Sequence, residues 1–551
     1  MKKLINAPEN VIDDYIAGLV SSRPHLARLD DAPVVVRSDD QRKPDDRVAI
    51  VSGGGSGHEP AHAGYVGRGM LDAAVLGPVF TSPSVDDVYA AIHAVATDAG
   101  VLLIIKNYTG DVLNFSLAAE MARADGIRVE RVIVADDAAL GDSAGAGRRG
   151  LTATVLAHKA AGAVAQRGAD LDGVKGAAER VLARAATMGV ALGACTVPGS
   201  ARANFELDEN EVEWGLGIHG EPGRNRGEAL GSAETAEALV EQVWAAIDGA
   251  PGDEIVVLVN SLGGTPDLEI RILQGDVLRA LEARGARVRL TWAGHFLTSL
   301  EMPGASVTVA AVDDELVELL SDEAVVAAFP HRTAEHVGAR SRPSGAPVAE
   351  EAPGGEPTQI GERMFRIASR VCRAAIEAET ELTDLDRRVG DGDMGTNLAR
   401  GARAILDAER PLSASPDAAS FLRAASGIAR RVVGGTSGPL YAAMLLGMGE
   451  EIARSGDAGG AFAHGAERLM AIGGAKPGDR TMVDALAPAA EAFRSGGGLT
   501  QAAEAARVGA EATAQEAAHL GRSSYLGDRA IGVPDPGAVA IAKLLESLAA
   551  E

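Results

Sequence analysis

The chain has 551 residues, of which 46% are hydrophobic and 23% charged, enough for several globular domains with ample cores. Its formal net charge of −25 argues against nucleic acid or an anionic membrane as the main partner, so any bound phosphate must be held by backbone amides, single cations or metal. The two cysteines, Cys195 and Cys372, lie far apart without a CxxC, which argues against structural zinc and fits a reducing compartment.

The opening MKKLINAPENVIDDYIAG is too polar for a signal peptide. No apolar run approaches the length of a membrane span, so a cytoplasmic protein is expected. Residues 1–333 alternate strand-like runs with helical stretches such as SVDDVYAAIHAVATDA. The runs fall at 47–51, 101–105, 131–135, 190–194, 254–259, 287–292 and 306–312. Continuous β-branched runs predict strands buried on both faces, and the alternation predicts α/β architecture. The long stretch 195–253 parts the strands into an earlier and a later group, which predicts two α/β subdomains. Residues 334–358 are rich in Pro, Gly, Ala and Glu, cannot bury a core, and read as a linker. Beyond them β signals vanish. Ile360, Met364, Ile367, Val371 and Ala374 mark one helix face and helical patterns recur to the end, so 359–551 reads as all-α.

In the first domain, VAIVSGGGSGHEP sets Gly53, Gly54, Gly55 and Gly57 directly after a strand, where backbone N–H groups can meet an oxygen-bearing ligand. No GK[ST] follows, and the glycines are not in GxGxxG register. His58 and Glu59 sit inside the turn. IIKNYTGDVLNF places Lys106 and Asp111 at the carboxyl end of a buried strand, where open α/β sheets bind ligands; a surface ion pair would satisfy the same residues. Ser82, in FTSPS, follows another strand-like stretch and could donate to the same place. EWGLGIHGEPG holds His219 between Gly217 and Gly220. A neutral imidazole is a nucleophile as well as a base, and the sequence leaves a purely structural histidine equally open.

In the second domain, LTDLDRRVGDGDMGTNL brings Asp386, Asp391 and Asp393 within eight residues. Spacings of five and two do not share a helix face; they suit a loop around a hard cation such as phosphate-bound Mg²⁺. An EF-hand would need Glu at the twelfth position from Asp391, which is Ala402. A solvated acidic turn is the plainer alternative. VVGGTSGPL sets Thr436 and Ser437 among glycines before an apolar helix, as an anion site or a simple cap. GGAKPGDRTMVDAL turns at residues 476–479 and begins a helix near Met482. GRSSYLGDRAIGVPDPG supplies Arg522, suited to phosphate, and Asp535, with Pro536 fitted to a first helical turn. Together these loops fit a nucleotide–metal site better than four unrelated turns.

With SGGGSGHEP, FTSPS, LLIIKNYTGD, GACTVPG, GIHGEPG, GDGDMGTNL, GGTSGP, KPGDRTM and GRSSYLGDR…DPG, the chain resembles the dihydroxyacetone kinase family over nearly its whole length except the linker. The resemblance is to the single-chain, ATP-dependent form. It implies an α/β ketone-binding domain and an all-α helical barrel that binds nucleotide. It implies covalent capture of the ketone on His219 as a hemiaminal, with His58 and Asp111 acting on the reacting hydroxyl. Gly55, Ser56, Gly57, Ser82 and Lys106 would hold substrate oxygens. Mg²⁺ would sit on Asp386, Asp391 and Asp393, and ATP on Met394, Gly395, Thr396, Asn397, Thr436, Ser437, Gly473, Met482, Arg522, Asp535, Pro536 and Gly537. Met394 stands where some relatives carry His, at a position that is not a metal ligand. A homodimer through the N-terminal domain is expected, with no nucleic acid or membrane partner. The linker, spanning on the order of 25–30 Å as a random coil, would let the helical domain dock on its own chain or its neighbour's. The expected reaction is phosphorylation of dihydroxyacetone or a close short-chain ketose or aldose. Alternatives are a four-carbon ketose such as erythrulose, an FAD-cyclising lyase activity at the nucleotide site, or a non-enzymatic ketone-binding regulator.

Overall fold

The computed structural model describes residues 2–38, 47–140, 147–221, 223–338, 341, 354–520, 522–525 and 527–550. The chain divides into two compact units, Met1–Ser341 and Arg342–Glu551. Of the segment read as a linker, residues 339–340 and 342–353 lie outside the described residues.

The first unit is built on two six-stranded sheets. One contains β1 (Leu26–Arg28), β2 (Val34–Arg37), β3 (Ala49–Ser56), β4 (Ala73–Val79), β5 (Val101–Lys106) and β6 (Val129–Val134), in the order β1-β2-β4-β3-β5-β6. Its β4, β3, β5 and β6 are parallel, with β3 and β5 buried along their whole length, as the β-branched runs predict. The other contains β7 (Ala185–Ala191), β8 (Glu211–Trp214), β9 (Asn225–Glu228), β10 (Glu254–Ser261), β11 (Arg287–Gly294) and β12 (Gly304–Ala311), in the order β11-β10-β12-β7-β8-β9. Here only β10 and β11 run parallel.

One strand departs from the sequence reading. The run placed at 190–194, with the earlier group, is β7 at 185–191, and it pairs antiparallel with β12 in the second sheet. Its residues are mostly Ala, Gly, Thr and Met, so periodicity marks its limits poorly. The helix Ala153–Gln166 explains how the two sheets join. It is buried almost all round, and it is built from small residues. One hydrophobic core takes in Ile50, Leu102 and Ile104 of the first sheet, Val155 and Ala160 of this helix, and Val256, Leu258 and Leu290 of the second sheet. The two subdomains therefore share a core, while helices on the outer faces close a further core over each sheet.

The second unit is all helical, with helices at Gln359–Glu377, Glu379–Val389, Met394–Asp407, Ala418–Val432, Ser437–Ser455, Ala458–Gly473, Val483–Arg494, Leu499–Ala512 and Pro536–Ala549 among others. They surround an apolar cavity of about 280 Å³, lined by Met364, Val371, Leu398, Phe421, Met444 and Leu545 among others. Of the predicted stripe on the first helix, Met364, Ile367 and Val371 line the cavity, and Ile360 is exposed. Cys372 and Ala375 line the cavity as well, while Phe365 is buried against neighbouring helices. Among the described residues, no helix is long and apolar enough to cross a membrane.

Candidate functional site

In the first sheet the strand order reverses at β3. The chain goes from β3 to its neighbour β4, then crosses by the helix Val85–Val95 to β5 on the other side. Ligands of open α/β sheets bind at such a point, beyond the carboxyl ends of the strands. β3 delivers Gly57 and His58 there, β4 delivers Phe80 and Ser82, and β5 delivers Lys106 and then Asp111 in the first turn of the helix Thr109–Ala124. The second sheet contributes from the opposite side. Its β8–β9 loop carries His219, and the segment after β11 carries Thr298.

His58 is fully buried. Its Nδ1 lies 2.7 Å from the Thr298 carbonyl, which can only accept, so Nδ1 carries the proton. Nε2 is left with its lone pair and no partner among the described residues. Burial first, and then the His219 and Lys106 charges, hold the pKa of His58 well below the ordinary histidine value, so the ring stays neutral. The His219 ring stands 4.8 Å from it, edge to face, with Phe80 at 5.4 Å and Tyr108 at 4.8 Å. His219 Nδ1 donates to Glu221 Oε1 at 2.7 Å, and its backbone N–H donates to Oε2 at 3.0 Å. Burial opposes ionisation of Glu221, but the His219 hydrogen bond and charge outweigh it and hold the carboxyl at about 2. With Nδ1 engaged by Glu221, Nε2 is the ring nitrogen of His219 left for a ligand.

Lys106 is buried, with Nζ 3.2 Å from the Gly53 carbonyl, 3.1 Å from His62 Nε2 and 3.5 Å from Asp111 Oδ2. Ser82 donates to Asp111 Oδ1 at 2.5 Å. Gly54, at φ 155°, runs so close under this cluster that a Cβ would collide with Lys106 Nζ. The glycine turn itself is less open than its sequence implies. The Ser56 hydroxyl donates to the Gly77 carbonyl at 2.7 Å, and the Gly57 N–H donates to the Glu59 carboxylate at 3.1 Å. Gly55 packs on the backbone of Phe80 and Thr81.

In the second unit a cleft of about 450 Å³ gathers most of the expected nucleotide residues: Met394, Asn397, Thr436, Ser437, Gly473, Met482, Asp535, Pro536 and Gly537 all line it, with Asp386, Asp391 and Asp393. One carboxylate oxygen from each aspartate comes within 4.8 Å of the others. Asp386 Oδ2 also accepts from the N–H groups of Asp393 and Met394, at 2.9 and 3.2 Å, which folds the loop back on itself. An all-oxygen set of this kind suits a hard divalent cation, and Mg²⁺ fits it. Thr436, the residue before the helix Ser437–Ser455, makes no side-chain cap, so the first-turn N–H groups of that helix are left for an anion. Asp535 caps the helix Pro536–Ala549 through Ala538 N–H at 2.8 Å, and burial pushes its carboxyl up to about 6.

Two expected residues do not line the cleft. Thr396 is exposed on the helix surface, and Gly395 faces the neighbouring helix Glu379–Val389. The side chain of Arg522 lies outside the described residues. Sequence reasoning also passed over several groups. Glu221 follows His219 by two residues in a loop, where no periodicity marks it, and Phe80, Tyr108 and His62 are ordinary residues until the fold assembles them. In the cleft it passed over Leu440, Leu469 and Ile472, an apolar wall, and Arg480. Arg480 is fully buried, donating to the carbonyls of Thr513, Ala530 and Val533 at 3.1, 3.1 and 2.6 Å.

A histidine pair on an α/β unit and an aspartate-bearing cleft on a helical unit fit an enzyme in two parts, with a candidate site on each. Comparison with known proteins gives the particular family. A Dak1 domain matches residues 17–328 and a DAK2 domain matches residues 388–550. Human triokinase/FMN cyclase is 42% identical over 99% of this chain and 98% of its own. D-erythrulose kinase of Mycolicibacterium smegmatis is 36% identical over 100% of this chain and 98% of its own. The crystal structure of the dihydroxyacetone kinase from C. freundii in complex with AMP-PNP and Mg²⁺ is similar with a TM-score of 0.65 and 34% identity, over 100% of this chain and 99% of that one. The chain belongs to the dihydroxyacetone kinase family, in the form that fuses both domains in one polypeptide.

Proposed function

We propose that this ATP-dependent kinase phosphorylates the terminal hydroxyl of dihydroxyacetone or a close short-chain ketose or aldose, after capturing its carbonyl on His219. The observation that carries the reading is the His219–Glu221 hydrogen bond, which leaves Nε2 as the nucleophilic nitrogen beside a neutral His58. Nε2 adds to the carbonyl carbon and the C=O π bond breaks. The Nδ1 proton passes to Glu221 while the carbonyl oxygen gains one from solvent, giving a neutral hemiaminal. Such an adduct accepts ketones and aldehydes and excludes glycerol, and it turns encounter into positioning.

The captured substrate then presents its terminal hydroxyl. His58 Nε2 and the Asp111 carboxylate are the bases within the cluster that can take its proton. Lys106 and Ser82 hold substrate oxygens on the same side. On the helical unit the open N-terminus of the helix Ser437–Ser455 binds phosphate oxygens, and Leu440, Leu469 and Ile472 cover the base. Asp386, Asp391 and Asp393 would hold Mg²⁺, which when bound spreads charge over the phosphate oxygens.

The experiment is ADP release from Mg-ATP with dihydroxyacetone, erythrulose and glycerol, for the wild-type chain and His219→Ala. Turnover with a ketone, none with glycerol and near-complete loss in the variant are expected, and kcat/KM ranks the two ketones. Equal turnover with glycerol, or full activity in His219→Ala, would overturn the reading.

A further inference from the structure

Behind the ketone site lies a buried polar cluster with no part in the chemistry above. It contains Ser52, His62 and His158, all fully or nearly fully buried. Ser52 Oγ donates to the Ile104 carbonyl at 2.7 Å, which uses its only proton. His62 Nδ1, 3.4 Å from that oxygen, must therefore be the donor, a weak one at that distance. Its Nε2 is then a lone pair, and it faces Lys106 Nζ at 3.1 Å. The order of donation is fixed from Lys106 to His62, from His62 to Ser52, and from Ser52 to the β5 backbone.

We propose that His62 is a positioning residue for Lys106: it takes one ammonium hydrogen, the Gly53 carbonyl takes a second, and the third is thereby aimed at Asp111 and the substrate oxygens beside it. The proposal deepens the reading above and rests on it for the role of Lys106. An ammonium has three donors on a freely turning head, so two fixed acceptors are the minimum that sets the direction of the third. The acceptor must also be neutral, since an imidazolium would repel the ammonium. Four titratable groups face Lys106: Asp111 from the helix Thr109–Ala124, His58 and His62 from the segment after β3, and His158 from the helix Ala153–Gln166. Burial, and then Lys106 itself and His158, keep the pKa of His62 well below the ordinary value. The His158 ring packs edge-on against His62 at 5.2 Å and fixes its plane.

Two measurements test this. The first needs no turnover: nitrogen-15 spectra of histidine-labelled, ketone-free protein report the tautomer of His62. A neutral ring protonated at Nδ1 through the neutral pH range is expected; protonation at Nε2, or an imidazolium, overturns the proposal whether or not the ketone reading holds. The second compares His62→Gln, whose amide oxygen can replace Nε2 as acceptor, with His62→Leu, which has none. His62→Leu is expected to lose about 10²-fold in kcat with KM for ATP unchanged, the scale of a small misplacement of a reacting group, while His62→Gln recovers most of it. Equal losses in the two variants, or a loss confined to KM for ATP, would reduce His62 to packing. Absence of ketone-dependent turnover in the wild type would sink the functional reading, and the tautomer would still decide the proposal.

Discussion

At the scale of single residues, the first unit depends on imidazoles kept neutral where an exposed histidine would titrate. Glu221 fixes which nitrogen of His219 is free, and in the proposed mechanism it receives the proton as the adduct forms. Glu221→Gln removes that proton acceptor and can present its amide N–H to Nδ1, favouring the wrong tautomer. A fall of about 10²–10⁴-fold in kcat/KM for the ketone is expected in steady-state assays, with ATP affinity unchanged. Burial also has a pH signature. His158 is pushed down to about 3, by burial first and then by Lys106, and both its ring nitrogens lack partners among the described residues. A histidine with a depressed folded pKa contributes stability that is present above about 6.5, its ordinary value, and is lost as pH falls through about 3. His58 and His62 are shifted the same way. The first unit should therefore lose stability progressively below about pH 6.5, and His158→Leu should flatten that limb when unfolding is followed against pH.

At the scale of elements, the helical unit is held by close approach. Gly395 lies where the helix Met394–Asp407 meets the helix Glu379–Val389, and a Cβ there would collide with the Glu379 carbonyl and the Thr383 hydroxyl. Gly395→Ala should destabilise the unit by about 1–3 kcal/mol, because backbone must move, and this outweighs the better helix propensity of Ala. Denaturant unfolding of the full chain checks it. The same position shows what the sequence made legible. The motif around Gly395 made legible a loop that gathers Asp386, Asp391 and Asp393, because three carboxylates and glycines at those spacings are local information. The glycine itself serves packing, and that depends on which helix lies opposite. Likewise β3 and β5 were legible from β-branched runs, whereas β7, made of small residues, was misplaced by several residues and in its sheet. His58 and His219 were visible one at a time. Their 4.8 Å separation comes from a crossing of two sheets, which no local pattern encodes.

At the scale of the molecule, every hydrophobic core among the described residues lies wholly within one of the two units. Scanning calorimetry should therefore resolve two transitions. Mg-ATP should raise only that of the helical unit, by about 2.7 kcal/mol of stabilisation at a hundredfold excess over Kd. Ketone should raise only the other, and His219→Ala should abolish that shift. Cores that share no residue also divide the burden of mutation. A substitution that weakens one unit leaves the margin of the other intact, because distant and independent sites add without coupling. Each half then drifts against its own threshold of stability. Selection can reshape the acceptor pocket for a new sugar while the nucleotide half stays as it was.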